Sequence, residues 1–287
     1  MVNTFERNRF YESQRTLTVG KRAVRYVVMG PERGEVADET ALLVPGIVTR
    51  LRGMSLLAEE LRHMGYQTVS MAHDYIDKDC PQDVRAIVEA IRDGEITHDS
   101  TKPLTVITHS LGTIHALRGI ASMRNASEYV DGVVVTAPTG YGGVHPEQMV
   151  WSLLREAIQR PATEHARDVV IEAFEYTFRA RQNLVSKIRE ARDVRVLDET
   201  QQLLEVGIPI AAVRYVHDIL VHFDEVATGL GRAGVQYSFD VYADHAGHNS
   251  HLLHPELVAT AVTNAIMSQA DGEYLARGAT LLGGKNA

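Results

Sequence analysis

Short, nearly continuous apolar runs alternate with amphipathic stretches along most of this 287-residue chain. Residues 41–44 (Ala-Leu-Leu-Val), 104–107 (Leu-Thr-Val-Ile) and 132–136 (Gly-Val-Val-Val-Thr) show almost no polar face. Runs of that kind suit strands buried on both sides, as in a parallel sheet covered by helices. Further strands are predicted at 67–71, 208–215 and 237–241. Residues 55–64 place Leu56, Leu57, Leu61 and Met64 at helical spacing. Helices are also predicted at 83–91, just after Pro81, at 112–123, and at 255–267, which opens on a proline. Near the start, 16–19 and 23–29 flank Gly20-Lys21 and predict a β-hairpin. Strands alternating with helices predict an α/β fold: a mostly parallel sheet flanked by helices.

One segment breaks the alternation. Between Thr139 and Val206 no strand is predicted, and 149–158, 167–178 and 184–196 read as amphipathic helices. We therefore expect a core domain made of 1–139 and 207–287, with 140–206 inserted as a helical cap or lid, the alternative being an extra helical layer with no gating role. Gly140-Tyr141-Gly142-Gly143 opens this insertion as either a hinge or a plain loop. Trp151, Phe174 and Phe178 lie on its predicted helices, where they either face an acyl pocket or pack in a core.

Composition narrows the class. Hydrophobic residues make up 45% and charged residues 23%, the balance of a soluble globular protein. The net charge of −8, with no basic block, argues against nucleic acid as a partner. Cys80 is the single cysteine, so no intramolecular disulfide forms. Residues 1–15 are polar, contain Arg7, Arg9 and Arg15, and lack the apolar core of a signal peptide. No run approaches the roughly 20 apolar residues of a membrane span. A soluble cytoplasmic protein is expected. No His, Cys, Asp and Glu residues recur at metal-site spacing, so no zinc site is expected.

The most informative stretch is Leu104-Thr105-Val106-Ile107-Thr108-His109-Ser110-Leu111-Gly112. A buried strand runs into a turn, and a helix follows at once. The Thr-His-Ser-Leu-Gly turn resembles the nucleophile elbow of the α/β-hydrolase superfamily, with Thr108 in place of the first glycine. The serine there projects from a strained turn, and the helix points its amides and positive dipole end at developing negative charge. Val44-Pro45-Gly46-Ile47 ends an earlier strand in a sharp turn. The resemblance implies that the Ile47 and Leu111 amides form the oxyanion hole. It also implies a triad in the order Ser, Asp or Glu, His.

Asp218, just after strand 208–215, is then the acid, with Asp224 as a competitor better read as a first-turn helix residue. The loop Ala243-Asp244-His245-Ala246-Gly247-His248-Asn249 holds the base. His248 is the choice on its Gly-His setting, and His245 is the alternative. Asp244 more plausibly shapes that loop, and Asp74 either lines the site mouth or, the more plausible reading, has a structural or loop-capping role. His251 and His254 are expected at the surface or as caps, and His109 as a packing residue beside the nucleophile.

The resemblance covers the whole chain. It implies acyl transfer through Ser110, His248 and Asp218, with no metal or organic cofactor. It points first to hydrolysis of a carboxylic ester with a small or medium acyl group. A thioesterase would use every residue named. An acyltransferase or a non-catalytic small-molecule-binding protein on the same fold is the alternative class.

Overall fold

The computed structural model describes residues 13–31, 36–46, 51–72, 79–97, 101–142, 144–145, 148, 181–242, 247–271 and 280–282. Its centre is a nine-stranded sheet with the order β1-β2-β4-β3-β5-β6-β7-β8-β9. β1 (Gln14–Val19) and β2 (Arg22–Met29) form the expected antiparallel hairpin, and β2 pairs antiparallel to β4 (Gln67–Ala72). All other pairings are parallel: β3 (Thr40–Val44), β5 (Leu104–His109), β6 (Gly132–Thr136), β7 (Ile210–Tyr215), β8 (Tyr237–Tyr242) and β9 (Thr280–Leu282).

The described helices are α1 (Ser55–His63), α2 (Cys80–Arg92), α3 (Gly112–Ala121), α4 (Ala126–Tyr129), α5 (Arg181–Asp193), α6 (Leu197–Glu205), α7 (Phe223–Ala233), α8 (Ser250–Leu253) and α9 (Pro255–Asp271). They divide between the two faces of the sheet. Successive strand side chains point to opposite faces. Leu42, Val44, Val106, Val133 and Val135 therefore join one core, with Ile87 of α2, Leu117 of α3, Leu203 of α6 and Leu230 of α7. Ala41, Leu43, Ile107 and Val134 join the other, with Leu61 of α1 and Val262 of α9. Burying one such aliphatic side chain contributes about 1.5–3 kcal/mol. The continuous apolar runs thus exist because both faces of each central strand are covered.

Two elements depart from the sequence expectation. β9 is a three-residue parallel edge strand, too short to leave a periodic signal. α6 is a helix the periodicity does not predict, and it lies in the helical layer over the sheet. Val196 and Leu203 are buried, and Arg118 of α3 pairs with Glu199 at 3.1 Å. The predicted helices at 149–158 and 167–178 lie outside the described residues.

α7 meets the stretch around Tyr141, soon after β6, very closely. A Cβ placed on Gly229 would lie 1.9 Å from the Tyr141 carbonyl oxygen, whereas one on Gly231 in the same helix meets nothing. Gly229→Ala should destabilise the protein by about 3 kcal/mol through overpacking. Gly231→Ala should stabilise it by about 0.5 kcal/mol through helix propensity. Urea denaturation of both variants checks the contrast, and equal effects would contradict this packing.

Candidate active site

The candidate residues gather where the C-terminal ends of the parallel strands meet, the usual place for a site in an open α/β sheet. Ser110 follows β5 directly and adopts φ +53°, a left-handed conformation rare for a residue with a side chain. Hydrogen bonds hold it there. Its N–H donates to the Thr136 carbonyl (3.1 Å). Its carbonyl accepts from the Thr113 amide (3.0 Å), the Thr139 amide (3.4 Å) and the Thr139 hydroxyl (3.1 Å).

Close backbone approach shapes the surroundings. A Cβ on Gly112 would lie 2.5 Å from the Pro45 carbonyl oxygen, and one on Gly46 would lie 2.8 Å from His109 Nδ1 and 2.9 Å from Ser110 Cβ. The turn after β3 is therefore pressed against the elbow. Thr108, the departure from a glycine, is fully buried, and its hydroxyl pairs with that of Thr113 at 2.9 Å. The extra atoms cause no conflict because the first turn of α3 supplies a polar partner.

The acid and the base come from the next two crossovers. Asp218 follows β7, and His248 lies between β8 and α8. Ser110 Oγ is 2.7 Å from His248 Nε2, and His248 Nδ1 is 2.7 Å from Asp218 Oδ2. The other oxygen of Asp218 accepts from the amides of Leu220 (2.8 Å) and Val221 (3.1 Å). All three side chains are buried. A buried carboxylate is tolerable only with such partners. Nδ1 of His248 carries a proton toward the carboxylate, which leaves Nε2 to accept from the serine hydroxyl.

Leu111 is the next residue after Ser110 and sits at the N-terminus of α3. Ile47, His245, Asp244, Asp74, Trp151, Phe174 and Phe178 lie outside the described residues. Asp224 is an exposed first-turn residue of α7. His254 accepts the Val258 amide with its carbonyl at the start of α9, a capping position. Gly140-Tyr141 is pinned: the Tyr141 hydroxyl meets Thr200 Oγ1 at 2.8 Å, and the Gly140 carbonyl accepts from Val196. Cys80 is buried, and burial pushes its thiol up to about 12, so it offers no thiolate nucleophile.

One sequence expectation is corrected. His251 is fully buried, not superficial. The short helix α8 turns it under the elbow, where its ring lies 4.1 Å from that of His109. His109 in turn has Nε2 2.9 Å from the His248 carbonyl oxygen. A carbonyl only accepts, so His109 donates and supports the loop carrying His248.

Burial, followed by the charges of His251 and His248, holds His109 well below the usual imidazole range. Burial, followed by the charge of His248, lowers His251 to about 3, partly offset by a hydrogen bond with the Gly53 backbone. Both groups are neutral in the folded protein at pH 7. The unfolded chain takes up protons near pH 6.5, while folded His251 does so only near 3. Stability is therefore undiminished above about pH 6.5 and falls as pH drops from there toward 3, by roughly 1 kcal/mol per unit for a buried histidine. Denaturation of wild type and His251→Gln at pH 7 and pH 5 should show a larger loss in wild type. Equal losses would mean that His251 protonates freely inside the fold.

Comparison with known proteins agrees with this architecture. No curated protein matches the chain in sequence. Among solved structures, a membrane phospholipase A described as a bacterial virulence factor superposes with a TM-score of 0.64 at 13% identity, covering 93% of this chain and 92% of that one. A serine hydrolase involved in carbazole degradation gives 0.62 at 18% identity, covering 88% and 98%. A carboxylesterase from Bacillus subtilis gives 0.58 at 14% identity, covering 90% and 97%. At these identities the likeness is one of fold. The sequence model of the alpha/beta hydrolase family matches residues 35–261. The chain belongs to the alpha/beta hydrolase family.

Proposed function

We propose that this protein is a serine hydrolase that cleaves a carboxylic ester of a small or medium acyl substrate through an acyl-enzyme intermediate. One observation carries the reading: an unbroken hydrogen-bond chain from Ser110 Oγ through His248 to Asp218, with both links at 2.7 Å. A serine hydroxyl is a weak nucleophile unless a base accepts its proton. Here the base is in contact, and its far nitrogen is oriented by a buried acid.

In the proposed reaction Ser110 Oγ attacks the ester carbonyl as its proton passes to His248 Nε2. Asp218 stabilises the resulting imidazolium and keeps the ring oriented. The oxyanion is held by the Leu111 amide and, on the family resemblance, the Ile47 amide. Each such donor is worth about 3 kcal/mol. His248 then protonates the leaving alcohol. Water, activated by the same histidine, attacks the acyl-enzyme and releases the acid. The carboxylesterase and serine hydrolase neighbours have the same fold, which supports hydrolysis by analogy.

The cap reading belongs to this proposal for the part of residues 140–206 ahead of α6, which would cover the strand ends and bound the acyl pocket while α6 flanks the sheet. Among the described residues no helix is long and apolar enough to cross a membrane. With a single buried cysteine and a charge of −8, we infer a cytoplasmic enzyme acting on a small molecule rather than on nucleic acid.

Ser110→Ala should remove p-nitrophenyl ester turnover, by roughly 10³-fold or more, with the fold unchanged by circular dichroism. A fluorophosphonate probe should label Ser110 in wild type, as read by peptide mapping. Labelling at another serine, or full activity in Ser110→Ala, would overturn the assignment. Matched oxygen esters and thioesters should show higher kcat/KM for the ester, and a clear preference for the thioester would replace ester hydrolysis with thioester hydrolysis.

A further inference from the structure

A second group of donor side chains sits beside the loop that carries Asp218. Val144 and Val221 form an isolated antiparallel bridge, and the His145 amide donates to the Leu220 carbonyl at 3.2 Å. This pairing brings His145 against His222, their rings stacked at 3.9 Å and 15°. Glu225, in the first turn of α7, places Oε1 3.7 Å from His145 Nε2 and 3.7 Å from His222 Nδ1. The ligand atoms of the three residues all lie within 4.8 Å of one another. Gly142 packs closely beside Glu225, where an added Cβ would lie 2.9 Å from the Glu225 Cβ.

We propose that His145, His222 and Glu225 form a binding site for a divalent transition metal, with Zn²⁺ the best match. Two imidazoles and one carboxylate suit zinc and its neighbours, whereas Mg²⁺ and Ca²⁺ call for a shell of oxygens. Tetrahedral zinc with bonds of about 2.0–2.1 Å sets its ligand atoms ~3.3 Å apart. The two separations of 3.7 Å to Glu225 need to close by about 0.4 Å, and the two imidazoles, whose ligand atoms lie within 4.8 Å, must turn out of their stack so that both lone pairs face the ion. The side chains are 31%, 41% and 47% exposed, so an ion reaches them from solvent. Gln148, whose amide donates to the His145 carbonyl at 2.9 Å, buries its side-chain oxygen without a hydrogen-bond partner among the described residues.

Local sequence spacing hides this site, because His145 and His222 are far apart in the chain. The bound ion would staple the stretch that opens the insertion to the loop after β7. None of its ligands belongs to the Ser110–His248–Asp218 chain, so the site does not rest on the hydrolase reading.

The test uses the full-length protein stripped of metal with EDTA and titrated with ZnCl₂ by calorimetry, with thermal unfolding in parallel. One ion per chain and a rise in Tm of several degrees are expected, with no comparable shift from MgCl₂. His145→Ala/His222→Ala should bind at least about tenfold more weakly and lose the shift. Glu225→Gln provides the same readout should the double variant fold poorly. His248→Ala should bind as wild type does. Absence of stoichiometric binding, equal binding by the double variant or Glu225→Gln, or loss of binding in His248→Ala would overturn the proposal.

Discussion

The left-handed backbone of Ser110 is the constraint around which the site is built. A residue with a side chain at φ +53° carries a cost of roughly 1–2 kcal/mol relative to ordinary conformations. Such strain persists only where the surroundings over-determine it. Here the Ser110 amide is bound to the end of β6, and its carbonyl accepts from both α3 and Thr139. The end of β6 is unusual in its own right. Ala137 also has positive φ, at +41°, and its amide donates to the Val213 carbonyl of β7. The elbow is thus tied to the strand beside it, and that strand to the one that leads into Asp218. The turn lifts the serine hydroxyl off the sheet edge because the end of β6, the first turn of α3 and Thr139 hold its backbone down.

Electrostatics follow from the same geometry. Nearly closed to water, Asp218 would carry a large desolvation cost if left alone. Its two oxygens instead accept from His248 Nδ1 and from the Leu220 and Val221 amides. The neighbouring histidines contribute by staying neutral. A charged His109 or His251 would place positive charge beside His248 and oppose formation of an imidazolium there. Burial suppresses that charge and leaves both rings as packing and hydrogen-bonding groups.

Much of this was legible in sequence because the signals are local. Buried parallel strands leave continuous apolar runs, and β3, β5 and β6 were found within a residue or two at each end. The elbow is legible for the same reason: strand, serine and helix are contiguous. The order of Asp218 and His248 along the chain followed from family resemblance, while their contact is made only by the fold. What sequence hid is non-local or short. His251 looked superficial because nothing in Ser250-His251-Leu252-Leu253 states that α8 turns inward beneath His109. Thr139 gave no signal, since its role is to grip a carbonyl twenty-nine positions away. The pairing of Thr108 with Thr113 was likewise invisible, and it explains how a larger residue occupies a position where the family has glycine.

The loop after β7 links these parts. Leu220 and Val221 direct their amides at Asp218, and the same two residues pair outward with the chain that opens the insertion: the Leu220 carbonyl with His145, and Val221 with Val144. One short segment therefore orients the acid on its inner side and pairs with residues 144–145 on its outer side. A shift of residues 144–145 acts on the peptide groups of Leu220 and Val221, and through their amides on the direction of the Asp218 carboxylate. A carboxylate held by three hydrogen bonds loses geometry at the imidazole as soon as two of them rotate. Residues 144–145 are thus linked to the acid by backbone hydrogen bonds through Leu220 and Val221, without a long-range path through the core.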